Sequence, residues 1–402
     1  MNRRQLLAAG LTGALAGCLG LGAPRGETAV TLEDIGADTI QSGGLADGAA
    51  LSPGDVDLPV EEDEMVRGAG KDAIPAITDP VFEEDWSDVV VEIPENFYGA
   101  EERTRGINPR LEPDDVVIGV ARQGEARAYP LRILNWHEIV NDTFGGPLLV
   151  TYCPLCRSAI VAERTVDGEE TVFGVSGLLF KNDLVMYDES TESLWSQILA
   201  TAINGPMTGE GLDFVPFSVT TLGEWRERYP ETVVLRPPPE SDTVVSGDGT
   251  RDYTTNPYLG YFDGDYVGLD GSVEEFDDDR LHPKSDVLGI AHGGSARAYA
   301  LDDIEREDVI EDEVGGLPVV VTATPSGKAV AWVREVDGRT LSFRAASEDL
   351  LRGGGTSWDR ATGVALDGPY EGERLEQANA VSVLFWFAWL DFQPDTELYR
   401  EK

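Results

Sequence analysis

Cysteine and histidine are scarce in this 402-residue chain, with three of each, and 31 basic residues face 74 acidic ones. The shortage of positive charge excludes a nucleic-acid partner, because a net charge of −43 repels phosphate. Lysine is sparse and the acid is dispersed in short runs such as "EEDEM" and "EEFDDDR". That pattern suits a protein kept solvated in a salt-rich, halophilic setting, where ions screen self-repulsion over a short range. The acidic stretch 263–280 lacks the ordered ligand spacing of a calcium loop and reads as a solvated segment. No second Cys-x-x-Cys pair exists, so a four-thiolate metal site is excluded and any centre must recruit other side chains. Between Leu19 and Ser87 no period of 2 or 3.6 is sustained, and Gly, Ala, Asp and Pro dominate. Residues 19–87 are therefore expected to be a flexible acidic tether.

Residues 1–18 carry twin Arg3 and Arg4, an apolar run from Leu6, and small residues before a cysteine. This is the form of a twin-arginine export signal. The order Leu15, Ala16, Gly17, Cys18 resembles a lipobox, so Cys18 is expected to receive lipid. The protein is then exported and anchored on the outer face of the cytoplasmic membrane, with the membrane as a partner through that lipid. Export after folding allows a metal to be loaded in the cytoplasm.

From Asp114 onward two segments lie over one another: "VVIGVARQGEARAYPL" (116–131) on "DVLGIAHGGSARAYAL" (286–301). The match continues in order through Gly145-Gly146 on Gly315-Gly316, Trp195 on Trp358, and Trp225 with Pro230 on Trp389 with Pro394. Short β-branched and aromatic runs bounded by Gly, Asp and Asn predict strands joined by hairpins. "PLRILNWHEIVND" (130–142) and "TLGEWRERY" (221–229) predict short helices, the second with Thr221 and Glu224 at capping-box spacing. The expected fold is α+β, mainly β, as two tandem pseudo-repeats: a first unit over 88–235, a connector over 236–284 and a second, degenerate unit over 285–402. The apolar stretch 381–392 is too short to cross a membrane and is expected to pack between the units.

The duplication works as an internal control. The Gly-Gly turn and the tryptophans persist in both halves, whereas Cys153 falls on Thr324, Cys156 on Gly327 and His137 on Glu307. Packing in the second half does without these side chains, which points to chemistry in the first. A Cys-Pro-Leu-Cys turn between strands resembles a metal knuckle, although Arg157 stands where glycine is common. His137 is the expected partner of the two sulfurs and Met186 a soft fourth ligand, a set suited to copper or zinc. Two other readings stay open. The cysteines form a disulfide or cycle as a redox dithiol, or one is a nucleophile with His137 as its base. A non-enzymatic alternative is a surface protein that binds a protein partner or a glycan through the aromatic region around Trp386 and Trp389.

The motifs "NWHEIVND", "VTYCPLCRSA", "FGVSGLLFKNDLVMYDESTESLWSQ", "INGPMTG" and "LFWFAW" together resemble domain-of-unknown-function family 3179, extracytoplasmic proteins of bacteria and archaea. The likeness spans roughly residues 88–400 and implies no activity. It implies that His137, Cys153, Cys156, Ser176, Asp188 and Trp195 are signature positions, with Ser176 and Asp188 lining the same pocket or capping turns.

Overall fold

Several strands of this chain do not alternate between buried and exposed positions. Leu148 to Cys153 and Ser158 to Ala162 are buried at every residue. A strand apolar on both faces requires a partner layer on each side. The computed structural model, which describes residues 44–48, 51, 56–95, 103–245, 250–269 and 271–400, shows how that requirement is met.

Six sheets of at least three strands form in succession. Sheet one is built on the hairpin Val116–Arg122/Glu125–Pro130, sheet two on Ile139–Thr143, Pro147–Cys153 and Ser158–Glu163, and sheet three on Phe173–Phe180, Asp183–Asp188, Leu194–Ser196 and Thr201–Asn204. Sheet four uses Asp286–His292 and Ser295–Ala300, sheet five Val309–Val314, Leu317–Ala323 and Ala329–Val333, and sheet six Phe343–Ala345, Leu350–Gly353 and Thr356–Asp359. Each buries a face on the next. Ile118 and Val120 share a core with Val140 and Val150. Ile160, Val175 and Val287 link sheets two, three and four. Ile290 meets Val319, and Val320 meets Phe343 and Trp358. Closure from sheet six to sheet one runs through Arg228, whose Nε donates to both carboxylate oxygens of Asp359 (2.9 and 2.8 Å), and through Tyr229 against Val364 and Leu366. The result is a six-bladed β-propeller.

The mainly β expectation holds, with short helices at Leu131–His137 and Leu222–Arg228, but the first is shorter than the expected 130–142, since Ile139–Thr143 is a strand. Pro130 precedes the first, its φ of −64° suited to a helix start. The Thr221 hydroxyl accepts from the Glu224 amide at the second. Two tandem units is the wrong description: the matched segments supply sheets to one ring with shared cores. They occupy equivalent places in it, since Ser218–Thr221 and Val233–Leu235 flank the sheet-one hairpin as Leu384–Phe385 and Glu397–Leu398 flank that of sheet four.

Residues 60–87 are not a tether. Met65–Arg67, Ile77–Asp79 and Phe82–Glu83 add strands to sheets three, two and one, because those sheet edges offer unpaired backbone groups. The connector packs too: the Tyr261 hydroxyl donates to Leu155 O at 2.9 Å. The export signal, Arg3, Arg4 and Cys18 lie outside the described residues. Among the described residues no helix is long and apolar enough to cross a membrane.

Helix Trp386–Phe392 is buried against the shared core, with Trp386 and Trp389 at 0% and 1% exposure. Its tryptophan rings therefore offer no platform for a glycan. The Trp389 ring lies over Gly289 as the Trp225 ring lies over Gly119, where a Cβ would come within 2.3 and 2.5 Å of the respective ring. Gly119→Ala should lower stability by about 1–3 kcal/mol through this overpacking. Gly211→Ala, where a Cβ meets nothing within 4 Å, should stay within about 0.5 kcal/mol of the parent in denaturant unfolding at high salt.

Candidate metal centre

Strand alternation decides which neighbour each side chain of Pro147–Cys153 meets. Leu148, Val150 and Tyr152 join the core toward sheet one, and Leu149 and Cys153 join the core toward sheet three. Ser158 pairs with Cys153, so Pro154–Arg157 is a hairpin loop that returns Cys156 toward the same side. Arg157 takes the left-handed φ of 60° that glycine usually supplies. On sheet three, Lys181 and Asn182 both have positive φ (49° and 64°), as a two-residue hairpin requires, and Asp183 opens the following strand.

The two hairpins meet. Cys156 Sγ lies 3.2 Å and Cys153 Sγ 3.9 Å from the Asn182 carbonyl oxygen. One ligand atom from each of Cys153, Cys156 and Asp183 lies within 4.8 Å of the others. All three residues are buried, and the cysteines are not joined as a disulfide. Asp183 Oδ2 accepts from Ser196 Oγ at 2.6 Å and from the Ile198 amide at 3.2 Å. Asp183 Oδ1 is buried with no hydrogen-bond partner. Burial pushes the Asp183 carboxyl up to about 7 against those hydrogen bonds. Burial also drives the Cys156 thiol well above its ordinary value, with Cys153 and the Asp183 charge acting in the same direction.

Glu138 ends the helix Leu131–His137 at φ 58°. It is buried, takes a 3.2 Å hydrogen bond from Tyr258, and is pushed up to about 7 chiefly by burial and further by the Asp183 charge. Its counterpart Asp308, at φ 66°, is gripped by both Nη atoms of Arg360. The first half has Gln197 where Arg360 stands. Gln197 is consumed by Thr151 and Ser158, so it leaves Glu138 without that counter-charge.

His137 does not join the sulfurs. Its Nδ1 is 2.8 Å from Pro75 O and its Nε2 is 2.8 Å from Tyr253 Oη. A carbonyl only accepts, so Nδ1 carries the proton and Nε2 accepts from the tyrosine. Both nitrogens are committed, to partners in the segments read as tether and connector. This removes His137 as ligand and as base for a cysteine nucleophile. Met186 is three residues beyond Asp183 on one strand and so points to the opposite face, which removes the thioether from the donor set. Ser176 fills the irregularity between Val175 and Leu178, donating to Val185 O and accepting from the Leu178 amide. Asp188 accepts from Ser190, Thr191, Ser193 and Trp195, which ties a turn together. Ser176 and Asp188 thus cap and brace the backbone, and Trp195 is core at 1% exposure. Asp183 and Asn182 O are the residues that sequence reasoning missed. The available signal was an acid directly after a Lys-Asn hairpin turn at the head of the apolar strand "LVMY".

A β-propeller with a buried Cys-Cys-Asp cluster between two adjacent blades defines the class of this protein. The chain belongs to the family described as Protein of unknown function (DUF3179), which matches residues 71–396. The match begins inside the segment expected to be a tether, just before the strand Ile77–Asp79. No curated protein and no solved structure matches the chain.

Burial holds His137 down to about 4 from 6.5. Between those values the unfolded chain takes up a proton that the folded ring refuses. Stability present above pH 6.5 is therefore lost as pH falls through 4, by about 3 kcal/mol for this group. Glu138 and Asp183, raised to about 7, favour the fold at low pH and oppose it as pH rises through 7. Comparing parent with His137→Gln by denaturant unfolding from pH 7 to 4 isolates the histidine. The gap between the two curves should close as pH falls.

Proposed function

We propose that Cys153, Cys156 and Asp183 hold a transition-metal ion in an exported protein anchored through lipid on Cys18. The observation that carries this reading is the buried Asp183 carboxylate, one oxygen of which lies within 4.8 Å of two thiols and one of which, Oδ1, has no hydrogen-bond partner. A buried carboxylate oxygen without a donor is costly, and a cation between it and two thiolates removes that cost while displacing the thiol protons. The Asn182 carbonyl oxygen, against Cys156 Sγ, is positioned to complete a fourth bond. Two sulfurs with a carboxylate and a carbonyl suit zinc, and the absence of a thioether weakens the case for Cu(I), which leaves copper as the alternative.

Cys153, Cys156 and Asp183 are at most 2% exposed, so the centre has no open position for a substrate. It clasps the hairpins of sheets two and three, a structural task. Redox cycling is the weaker reading, since reactive cysteines are exposed and have lowered pKa values whereas Cys156 is sealed and raised.

Elemental analysis of protein purified without chelator should find one metal equivalent per chain, and chelation should lower the thermal midpoint. Cys153→Ser/Cys156→Ser should abolish uptake, and Asp183→Asn, isosteric with the protonated acid, should weaken zinc at least tenfold in competition with a chromogenic chelator. Unchanged metal content in the double variant overturns the reading. A Cys153–Cys156 disulfide in protein isolated without reductant would favour the redox alternative.

A further inference from the structure

A second feature lies outside the metal cluster. Sheets one, two, four and five contribute to the walls of a cavity of about 360 Å³. Its apolar wall includes Leu131, Tyr152, Phe217, Val219, Phe262 and Val383. Its charged side chains are Asp114, Asp115, Arg132, Arg157, Asp286 and Lys328.

These charges are not evenly matched in space. Arg132 is paired with Asp115 at 2.7 Å, and Arg157 with Asp286 at 3.2 Å. Lys328 is the second-half residue that corresponds to Arg157, so the loops after Cys156 and after Gly327 deliver two cations to one cavity. The Lys328 ammonium makes no hydrogen bond or ion pair with any described residue. Asp286, Glu305 and Glu224 act on it only at longer range, and Glu224 is already engaged by Thr220 and Arg228. Burial and the Arg157 charge both draw its proton affinity below the ordinary lysine value. In a chain of net charge −43, carboxylates to pair a lysine are plentiful, yet this cation lines the cavity without an ion pair to any described residue. That arrangement is a recognition site: an oriented charge in a half-closed apolar cleft fixes a ligand whose remainder fills the cleft.

We propose that this cavity binds a small organic monocarboxylate, its anion on Lys328 beside Arg157 and its apolar body against Leu131, Phe217 and Val219. Lys328 is the cation of the lining without an ion pair, and the three carboxylates that share the lining disfavour a second negative charge, which favours a monoanion over a phosphate dianion. The proposal stands independently of the metal reading.

Phenylacetate, phenylacetamide and inorganic phosphate serve as probes, titrated calorimetrically into the intact protein at fixed high salt, with and without chelation. Phenylacetate should bind saturably, phenylacetamide at least tenfold more weakly, and phosphate not measurably in the same range. Lys328→Met should weaken phenylacetate at least tenfold without lowering the thermal midpoint, and Lys328→Arg should retain it. Equal affinity for acid and amide overturns the proposal, because the cavity is then only apolar. Phosphate binding as tightly as phenylacetate overturns it as well, as does the absence of any binding. Loss of phenylacetate binding on chelation would assign the ligand to the metal instead.

Discussion

Sheets with two apolar faces cannot stand in a row, because the first and last would each leave a face in water. Closing the row into a ring satisfies every face at once, and this constraint organises the molecule. It explains why sheet one takes strands from both sides of its hairpin, and why Arg228 and Tyr229 meet Asp359, Val364 and Leu366 across the closure. It also explains why so little of the described chain is spare: residues 65–83 and the connector tyrosines finish edges and cover loops.

The candidate metal centre is a consequence of that ring. Cys153 faces sheet three because strand alternation sends it there, and the tight Lys-Asn turn delivers Asp183 to the same place. Neither element makes a site alone. The second half shows what equivalent positions look like when they are satisfied internally. Asp308 is held by Arg360, and threonine and glycine replace the thiols. In the first half the arginine is glutamine, and the acids Glu138 and Asp183 lie buried with few donors. The first half thus buries acids without a cationic partner, whereas the second sets an exposed Asp308 beside a buried Arg360.

The internal comparison separated two kinds of polar residue that look alike in sequence. Asp142 and Asp312 both accept from an arginine and a tyrosine, Arg127 with Tyr129 and Arg297 with Tyr299, and so belong to the scaffold. His137 differs between halves and was expected to serve chemistry. It instead ties the helix Leu131–His137 to Pro75 and Tyr253. A difference between halves marks a change of surroundings, and the new surroundings can be structural as easily as chemical.

What this chain's sequence determined by itself is local: strand and helix positions from apolar runs and caps, the duplication, and the Cys-Pro-Leu-Cys turn. The elements and the turn follow from interactions within a few residues, and both halves show the same strands and helices independently. Tertiary structure alone decided that the halves share one ring, that residues 60–87 belong to it, and that Asp183 rather than His137 meets the sulfurs. Those outcomes depend on which unpaired edge a distant strand reaches and on which face of a sheet looks toward its neighbour. Such relations are set by packing between segments remote in the chain, and the order of the residues does not display them.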